Sequence, residues 1–465
     1  MRISLYLFIV LLASVGAQSD TTPITDLDQL LENVAPILNE SGAYRNSVET
    51  DEDLSPLALD LDRCVEIAVA QNAQILVAET EVALREAQAG QARARRKPKV
   101  NVQWSYRYID KLNQDIGPPA IQRVLGVQNY APDKGTITTG LSVTQVLYTG
   151  GQIQAAVKAS QYLATSEAWR EEAIREEVAY QAKTAYHDAL LAHALVNVAT
   201  EALSVFERHQ QDTETLKEEG MVTPFEVLRA KTEVGARQAN LTSAEAAARL
   251  ADLNIRRILA LPGGQPITYD RHLPREAITD SVTDLKARAQ KQRAELKALT
   301  DALAAGKQQA RGVKGKYLPQ AAASANWINV DKGGQVLPDG WQFNVGAQWD
   351  LYLGGQRKHE LGEARARISG LRIQQADMER LIALDVEQAV IALHKATVTM
   401  GTEKEHVALA KESVRLAKLR YQEGIGTQTE IIDSALVHTQ AKTSLVQAIR
   451  DYYVAYASLE RALGA

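Results

Sequence analysis

One cysteine, Cys64, stands in a chain of 465 residues. That scarcity excludes an internal disulfide framework and a multi-thiol metal centre. Eight histidines are present, but none of them, His187, His193, His394 and His438 included, falls at metal-ligand spacing. They read as helix-surface residues. No Ser/His/Asp arrangement is recognisable, and the Gly-Gly pairs lack the following Lys-Ser/Thr of a phosphate loop. The chain is therefore expected to be no enzyme and to carry no cofactor. The formal net charge of −5 argues against a nucleic-acid partner. Beyond the N-terminus no apolar run looks long enough for a transmembrane helix. If the chain enters a membrane, it must do so as strands.

The N-terminus itself is informative. Arg2 precedes an apolar run from Leu5 to Val15, and Val15-Gly16-Ala17 resembles a small-residue cleavage site. Residues 1–17 are thus expected to be a secretory signal peptide, too short to span a bilayer. No cysteine follows the run, so a lipoprotein anchor is not expected. Residues 18–56 are acidic and proline-punctuated and read as a partly ordered extension.

The rest of the chain is written twice. Leu147-Tyr148-Thr149-Gly150-Gly151-Gln152 returns as Leu351-Tyr352-Leu353-Gly354-Gly355-Gln356. The offset is 352 − 148 = 204, and Glu219-Gly220 to Glu423-Gly424 gives the same 204. The expected repeats are 57–260 and 282–465, joined by a linker over 261–281 with Pro262-Gly263-Gly264 and Pro274. Each opens on a helical pattern, the first over about 58–97. At Pro98 the period changes from near 3.6 to 2. Val100, Val102, Trp104, Tyr106 and Tyr108 alternate with Asn101, Gln103, Ser105 and Arg107. Trp341, Phe343, Val345, Ala347, Trp349 and Leu351 alternate with Gln342, Asn344, Gly346, Gln348 and Asp350. Strands are predicted at about 99–110, 136–148, 320–330 and 341–352, each with one apolar and one polar face. The loop at about 111–135 is some 17 residues longer than its counterpart, because Pro98 to Pro319 is an offset of 221 and 221 − 204 = 17.

The remainder is helix with an alanine-rich seam. Long helices are expected at 151–219 and 356–422, and shorter ones at 224–260 and 428–463. A helix of 70 residues reaches ~105 Å at 1.5 Å per residue. The implied object is a set of helix pairs with strands at one end and tight turns at the other. Strands of 10–12 residues match an outer-membrane apolar band, but four strands cannot close a barrel, and lipid tolerates no open edge. Several protomers would have to contribute, and Trp104, Tyr106, Tyr148, Trp341, Trp349 and Tyr352 would suit an interfacial girdle.

The order helix, strand, strand, long helix, turn, helix, performed twice, resembles the TolC family of outer-membrane efflux and secretion channels. Its carriers are Ala68-Val69-Ala70-Gln71-Asn72, Lys97-Pro98, both Leu-Tyr-x-Gly-Gly-Gln segments and the two helix tips, across about 57–463. The resemblance implies a homotrimer in the outer membrane, a twelve-stranded barrel continuous with a coiled-coil tunnel. It implies a periplasmic adaptor and an inner-membrane ABC or resistance-nodulation-division transporter as partners, with outer-membrane lipid around the barrel. The duct would serve tripartite efflux or type I secretion. The tips Gly220, Met221, Val222, Thr223 and Gly424, Ile425, Gly426, Thr427 would receive the adaptor. Glu430 and Asp433, with Glu226 in the first copy, would ring a pore constriction. The second tip lacks the arginine that some relatives place there and so departs from a family salt-bridge latch, for which Arg229 is the candidate substitute. Gly150, Gly151, Gly354 and Gly355 mark the strand-to-helix junctions. The rival expectation is a periplasmic coiled-coil adaptor or scaffold, which would need only one hairpin and no alternating aromatic strands.

Overall fold

A computed structural model describes residues 57–108, 135–262, 266–270, 280–332, 335–336 and 339–464. The expected signal peptide, the acidic extension and nearly all of the longer strand loop lie outside the described residues. All of the elements below belong to one unit, Pro56–Ala465.

The first copy contains β1 (Leu57–Leu59), α1 (Leu61–Gln71), α2 (Ala73–Ala94), β2 (Lys99–Arg107), β3 (Thr136–Tyr148), α3 (Gln152–Glu218) and α4 (Pro224–Ile258). After β4 (Ile267–Tyr269) the second contains α5 (Val282–Gln292), α6 (Ala294–Gly315), β5 (Gln320–Lys332), β6 (Gln335–Val336), β7 (Gly340–Gln348), α7 (Gln356–Gln422) and α8 (Gln428–Leu463). The two long helices have 67 residues each, ~100 Å of rise. Their first residues, 152 and 356, and the starts of the following helices, 224 and 428, keep the offset of 204.

The helix expected over 58–97 is broken into two, as is its second-copy counterpart. The breaks fall at Asn72 and Arg293, which are 293 − 72 = 221 apart. Asn72 caps α2 by accepting from the Gln74 N–H at 2.9 Å, and its amide donates to the Ile258 carbonyl at 3.0 Å. Arg293, buried, forms a fork to Glu295 at 2.7 and 2.9 Å and lies 3.5 Å from Asp385. Each break turns a helix end onto the neighbouring column, so α1–α2 and α4 share one column and α5–α6 and α8 another.

Packing follows from that. α3 lies against α2 and α6 toward the strands, and against α4 and α8 toward the tips; α7 lies against α6 above and α8 below. The layer therefore reads α2-α3-α6-α7 near the strands and α4-α3-α8-α7 near the tips. Alanine makes the close approach possible: Val178, Ala182, Ala185 and Ala189 of α3, spaced 4, 3 and 4, are essentially inaccessible. By length and composition α3 could cross a bilayer, which corrects the expectation that no stretch could. The seam takes up part of that stretch, of which 28% is buried within the protomer.

Midway along α3 the chain builds a feature the sequence reading missed. β1 and β4 pair in parallel, Leu57 to Ile267 and Leu59 to Tyr269. They cover a core of Ile75, Val178, Tyr186, Ile255 and Leu259. The Tyr186 hydroxyl lies 2.6 Å from the Asp270 carbonyl and 3.2 Å from that of Leu59, tying the linker to the middle of the long helix. Each fully buried aliphatic residue there contributes ~1.5–3 kcal/mol.

Candidate functional site

The strands form one antiparallel sheet in the order β2-β3-β5-β7, with the short β6 paired to the end of β5. Register sorts its faces. Val100, Val102, Trp104 and Tyr106 stand opposite Val143, Leu141, Thr139 and Ile137. Val143 and Leu141 continue to Ala325 and Trp327, and on to Phe343 and Trp341, while Thr139 and Ile137 continue to Asn329 and Asp331 near the far end of β5. Paired residues share a face, so this side is an apolar surface open to its surroundings, with Phe343 at 76% and Val345 at 79% exposure. The reverse side carries Asn101, Gln103, Ser105, Ser142, Thr138, Asn326, Gln342 and Asn344. Among the described residues β2 pairs only with β3, and β7 only with β5. Both edges therefore present unsatisfied backbone groups. β7 ends at Gln348, so Trp349 to Tyr352 lie beyond the strand rather than in it, with Trp349, Leu351 and Tyr352 exposed.

At these junctions Gly151 and Gly355 are the residues before α3 and α7, at φ 82° and 83°. A side chain is strained in that region, which accounts for the glycines. Gly150 has a second constraint. A β-carbon there would come within 2.2 Å of the Gly315 carbonyl oxygen, so the end of β3 passes tightly against the end of α6. Gly354 has open space at the same place.

At the other end of the long helices the two tips share a backbone. Gly220 and Gly424 adopt φ 74° and 71° and close the helix ends. The Met221 N–H donates to the Leu216 carbonyl at 2.8 Å, as the Ile425 N–H does to Arg420 at 3.0 Å. Thr223 and Thr427 cap the helices that follow. Val222 is half-buried and Met221 exposed, as is Ile425. Gly426 is enclosed: a β-carbon would lie 2.9 Å from the Tyr421 nitrogen.

The side chains differ. Glu226 folds back on its own helix, its carboxylate accepting the Thr223 N–H at 3.0 Å in a reciprocal capping box. Glu430, its equivalent at 204, instead accepts from Arg420 Nε at 3.2 Å across to α7. Asp433, exposed, joins Glu430 and Arg420 along a surface groove of about 510 Å³ between α7 and α8, with Glu412, Ser413 and Leu416. The cation that meets the acid is thus Arg420, which sequence reasoning did not select. Arg229, offered as the substitute, donates to the Thr429 hydroxyl at 3.0 Å and links the two hairpins. A second link was also missed. The Gln428 amide, buried, donates to His209 Nε2 at 2.9 Å and to the Thr213 hydroxyl at 3.3 Å. His209 must therefore be neutral there, and burial, the largest influence, holds its pKa below the ordinary value.

Nor are all histidines surface residues. His187 is buried and stacked on Tyr453, ring centroids 5.0 Å apart. Burial, helped by Arg450 and Lys183, pushes its pKa down to about 4. A seam of apolar neighbours around position 187 would have flagged it. Beside Arg293, burial and the charge of Glu295 push the Glu176 carboxyl up to about 7. Among the described residues no group of His, Cys, Asp and Glu is arranged to hold a metal.

Comparison with known proteins bears on these surfaces. The profile of the Outer membrane efflux protein family matches residues 64–261 and 285–465. The Outer membrane efflux protein BepC of Brucella suis biovar 1 (strain 1330) is 22% identical over 336 residues, 71% of this chain and 72% of that one. Among solved structures, CusC, a transmembrane channel, superposes with a TM-score of 0.75 at 14% identity, over 91% of this chain and 97% of the other. The CmeC outer membrane channel of Campylobacter jejuni gives 0.74 at 14% identity, over 92% and 91%. These structural likenesses speak for the fold.

Proposed function

Because the chain belongs to the Outer membrane efflux protein family, we propose that three copies close into one exit duct. An inner-membrane pump and a periplasmic adaptor would feed the duct from the tips, in tripartite efflux or type I secretion. The protein resides in the outer membrane, as its family does. The observation that carries the reading is the sheet: four strands with an apolar exposed face, a polar reverse face and two unpaired edges. Unsatisfied strand edges are not stable in hydrocarbon. Three protomers supply 3 × 4 = 12 strands and remove every edge. The helix layer has the same need. Its outer column α7 exposes Leu384, Ile391 and Val398, spaced by seven, a seam suited to the neighbouring protomer's α2 and α4.

In this reading the polar sheet face lines the lumen, and the aromatics at the strand ends sit at the membrane interfaces. Gly150, Gly151, Gly354 and Gly355 turn each membrane strand into a tunnel helix. Glu430 and Asp433 ring the constriction, with Glu226 a weaker contributor because its carboxylate is held by its own helix. Residues 220–223 and 424–427 receive the adaptor. The duct does no chemistry; cargo is chosen by the pump.

Membrane fractionation tests the reading. Recovery with outer membranes and release only by detergent is expected, and soluble recovery from periplasm would contradict it. In planar bilayers, Glu430→Gln with Asp433→Asn should lower cation selectivity. Unchanged selectivity would place those carboxylates away from the aperture.

A further inference from the structure

The chain is acidic overall, yet residues 87–108, 135–166 and 302–330 contain no aspartate or glutamate. These stretches hold β2, β3, most of β5 and the helix turns attached to them. The cations of the same end are many. Four lie within residues 93–97, where α2 ends. Lys307, Arg311 and Lys314 follow at i, i+4 and i+7 along α6, and Lys358, Arg365 and Arg372 at i, i+7 and i+14 along α7. Each set forms one stripe. All six are exposed, and among the described residues none of them is in an ion pair.

The stripes face the same way. α6 and α7 meet where Gly306 abuts Leu371 and Ile368. A groove of about 280 Å³ beside that line holds Lys316 paired with Glu360 at 2.9 Å and Arg367 paired with Glu363 at 2.7 Å. At about 100° per residue both cation stripes fall on the opposite side of the helix pair. One side is thus neutralised internally, and the other gathers six positive charges without a counter-charge. All but Arg372 stand within ~15 Å of the strand-side ends of their helices at 1.5 Å per residue. Immediately above them Tyr317, Leu318, Leu351 and Tyr352 are exposed.

We propose that this face docks the anionic headgroups of glycerophospholipids in the leaflet on the helix side of the membrane. The inference rests on the membrane reading of the sheet. The charge calls for an anion, and continuity with the exposed apolar rim makes that anion a lipid phosphate. Acids are absent from the same zone because they would repel the leaflet.

The test uses the full-length protein purified in detergent and mixed micelles of phosphatidylglycerol or phosphatidylcholine, with bound lipid counted by native mass spectrometry. A preference for phosphatidylglycerol of about tenfold is expected at low salt, shrinking in high salt. The variant K307Q/R311Q/K314Q/K358Q/R365Q/R372Q should lose the preference. A control neutralising Lys404, Lys411 and Lys418 on the lower half of α7 should keep it. Circular dichroism verifies that both remain helical, and K358Q/R365Q/R372Q alone, expected to lose part of the preference, serves if the larger variant does not fold. An undiminished preference in the folded variants overturns the proposal. So does an altered anion conductance with lipid preference intact, which would put the stripes inside the duct, or weakened binding to cell-wall sacculi with lipid preference intact. Failure to recover the wild type with membranes would instead refute the membrane reading.

Discussion

The two helix tips are the same structure built from different chemistry. Gly220 and Gly424 stand at φ 74° and 71°, both followed by a threonine cap and both ending a 67-residue helix. At matching positions, however, Pro224 faces Gln428, Phe225 faces Thr429, Arg229 faces Asp433 and Leu216 faces Arg420. These unlike positions make the contacts between halves: Arg229 with Thr429, and Gln428 with His209 and Thr213. The first tip meets its surroundings with Met221, Phe225 and Leu228, all strongly exposed, and the second with Ile425. Duplication preserved the backbone of the two turns, while many side chains diverged, among them those that tie one hairpin to the other. A duct that closes by bringing both tips to one aperture needs both properties.

The largest effect should come from erasing the difference. Arg229→Ala with Gln428→Ala removes both links, each worth ~1 kcal/mol, and shifts the closed–open balance by about thirtyfold. Single-channel recordings should show the resting conductance rising, while an unchanged conductance would mean that the links hold nothing shut. Next, the shared backbone should respond alike. Gly220→Ala and Gly424→Ala each force a side chain into the left-handed region at ~1–2 kcal/mol. Amide hydrogen exchange should accelerate equally at both tips, and a clear inequality would break the equivalence of the two turns.

The acids should respond unequally. Glu226→Ala loses a capping box, ~1 kcal/mol, whereas Glu430→Ala keeps the Thr427 cap and loses an exposed ion pair worth about half of that or less. Exchange in the first turns of α4 and α8 reads the contrast, and equal responses would contradict it. The smallest effect is pH-dependent. Neutral His209 accepts the Gln428 N–H, and burial depresses its pKa, with Asp212 opposing and Lys418 assisting. The link is therefore complete above about pH 6.5 and is lost as pH falls through the depressed value. Resting conductance should rise on acidification in wild type and stay flat in His209→Ser, which installs the residue that Ser413 supplies in the second copy.

Much of the architecture was legible because periodicity and duplication are local signals. The offset of 204 predicted equal long helices, and alternation marked the faces of β2 and β7 residue by residue. The breaks at Asn72 and Arg293 were not legible, since each depends on a partner far along the chain: the Ile258 carbonyl for one, Asp385 for the other. The parallel pair β1–β4 is three residues long and 210 apart in sequence, beyond any window of pattern reading. At the tips, Glu226 and Glu430 were visible as first-turn acids. The partner of Glu430 was not, because Arg420 sits on the preceding helix, nor was that of Gln428, because His209 sits on the opposite repeat. The buried His187 was misread for the same reason: its stacking partner, Tyr453, lies in α8.

All of this presupposes that β2 and β7 find partners on other copies of the chain. Native mass spectrometry of the detergent-released particle counts those copies directly. The account predicts three chains in one particle; a single chain, with both sheet edges left open, would contradict it.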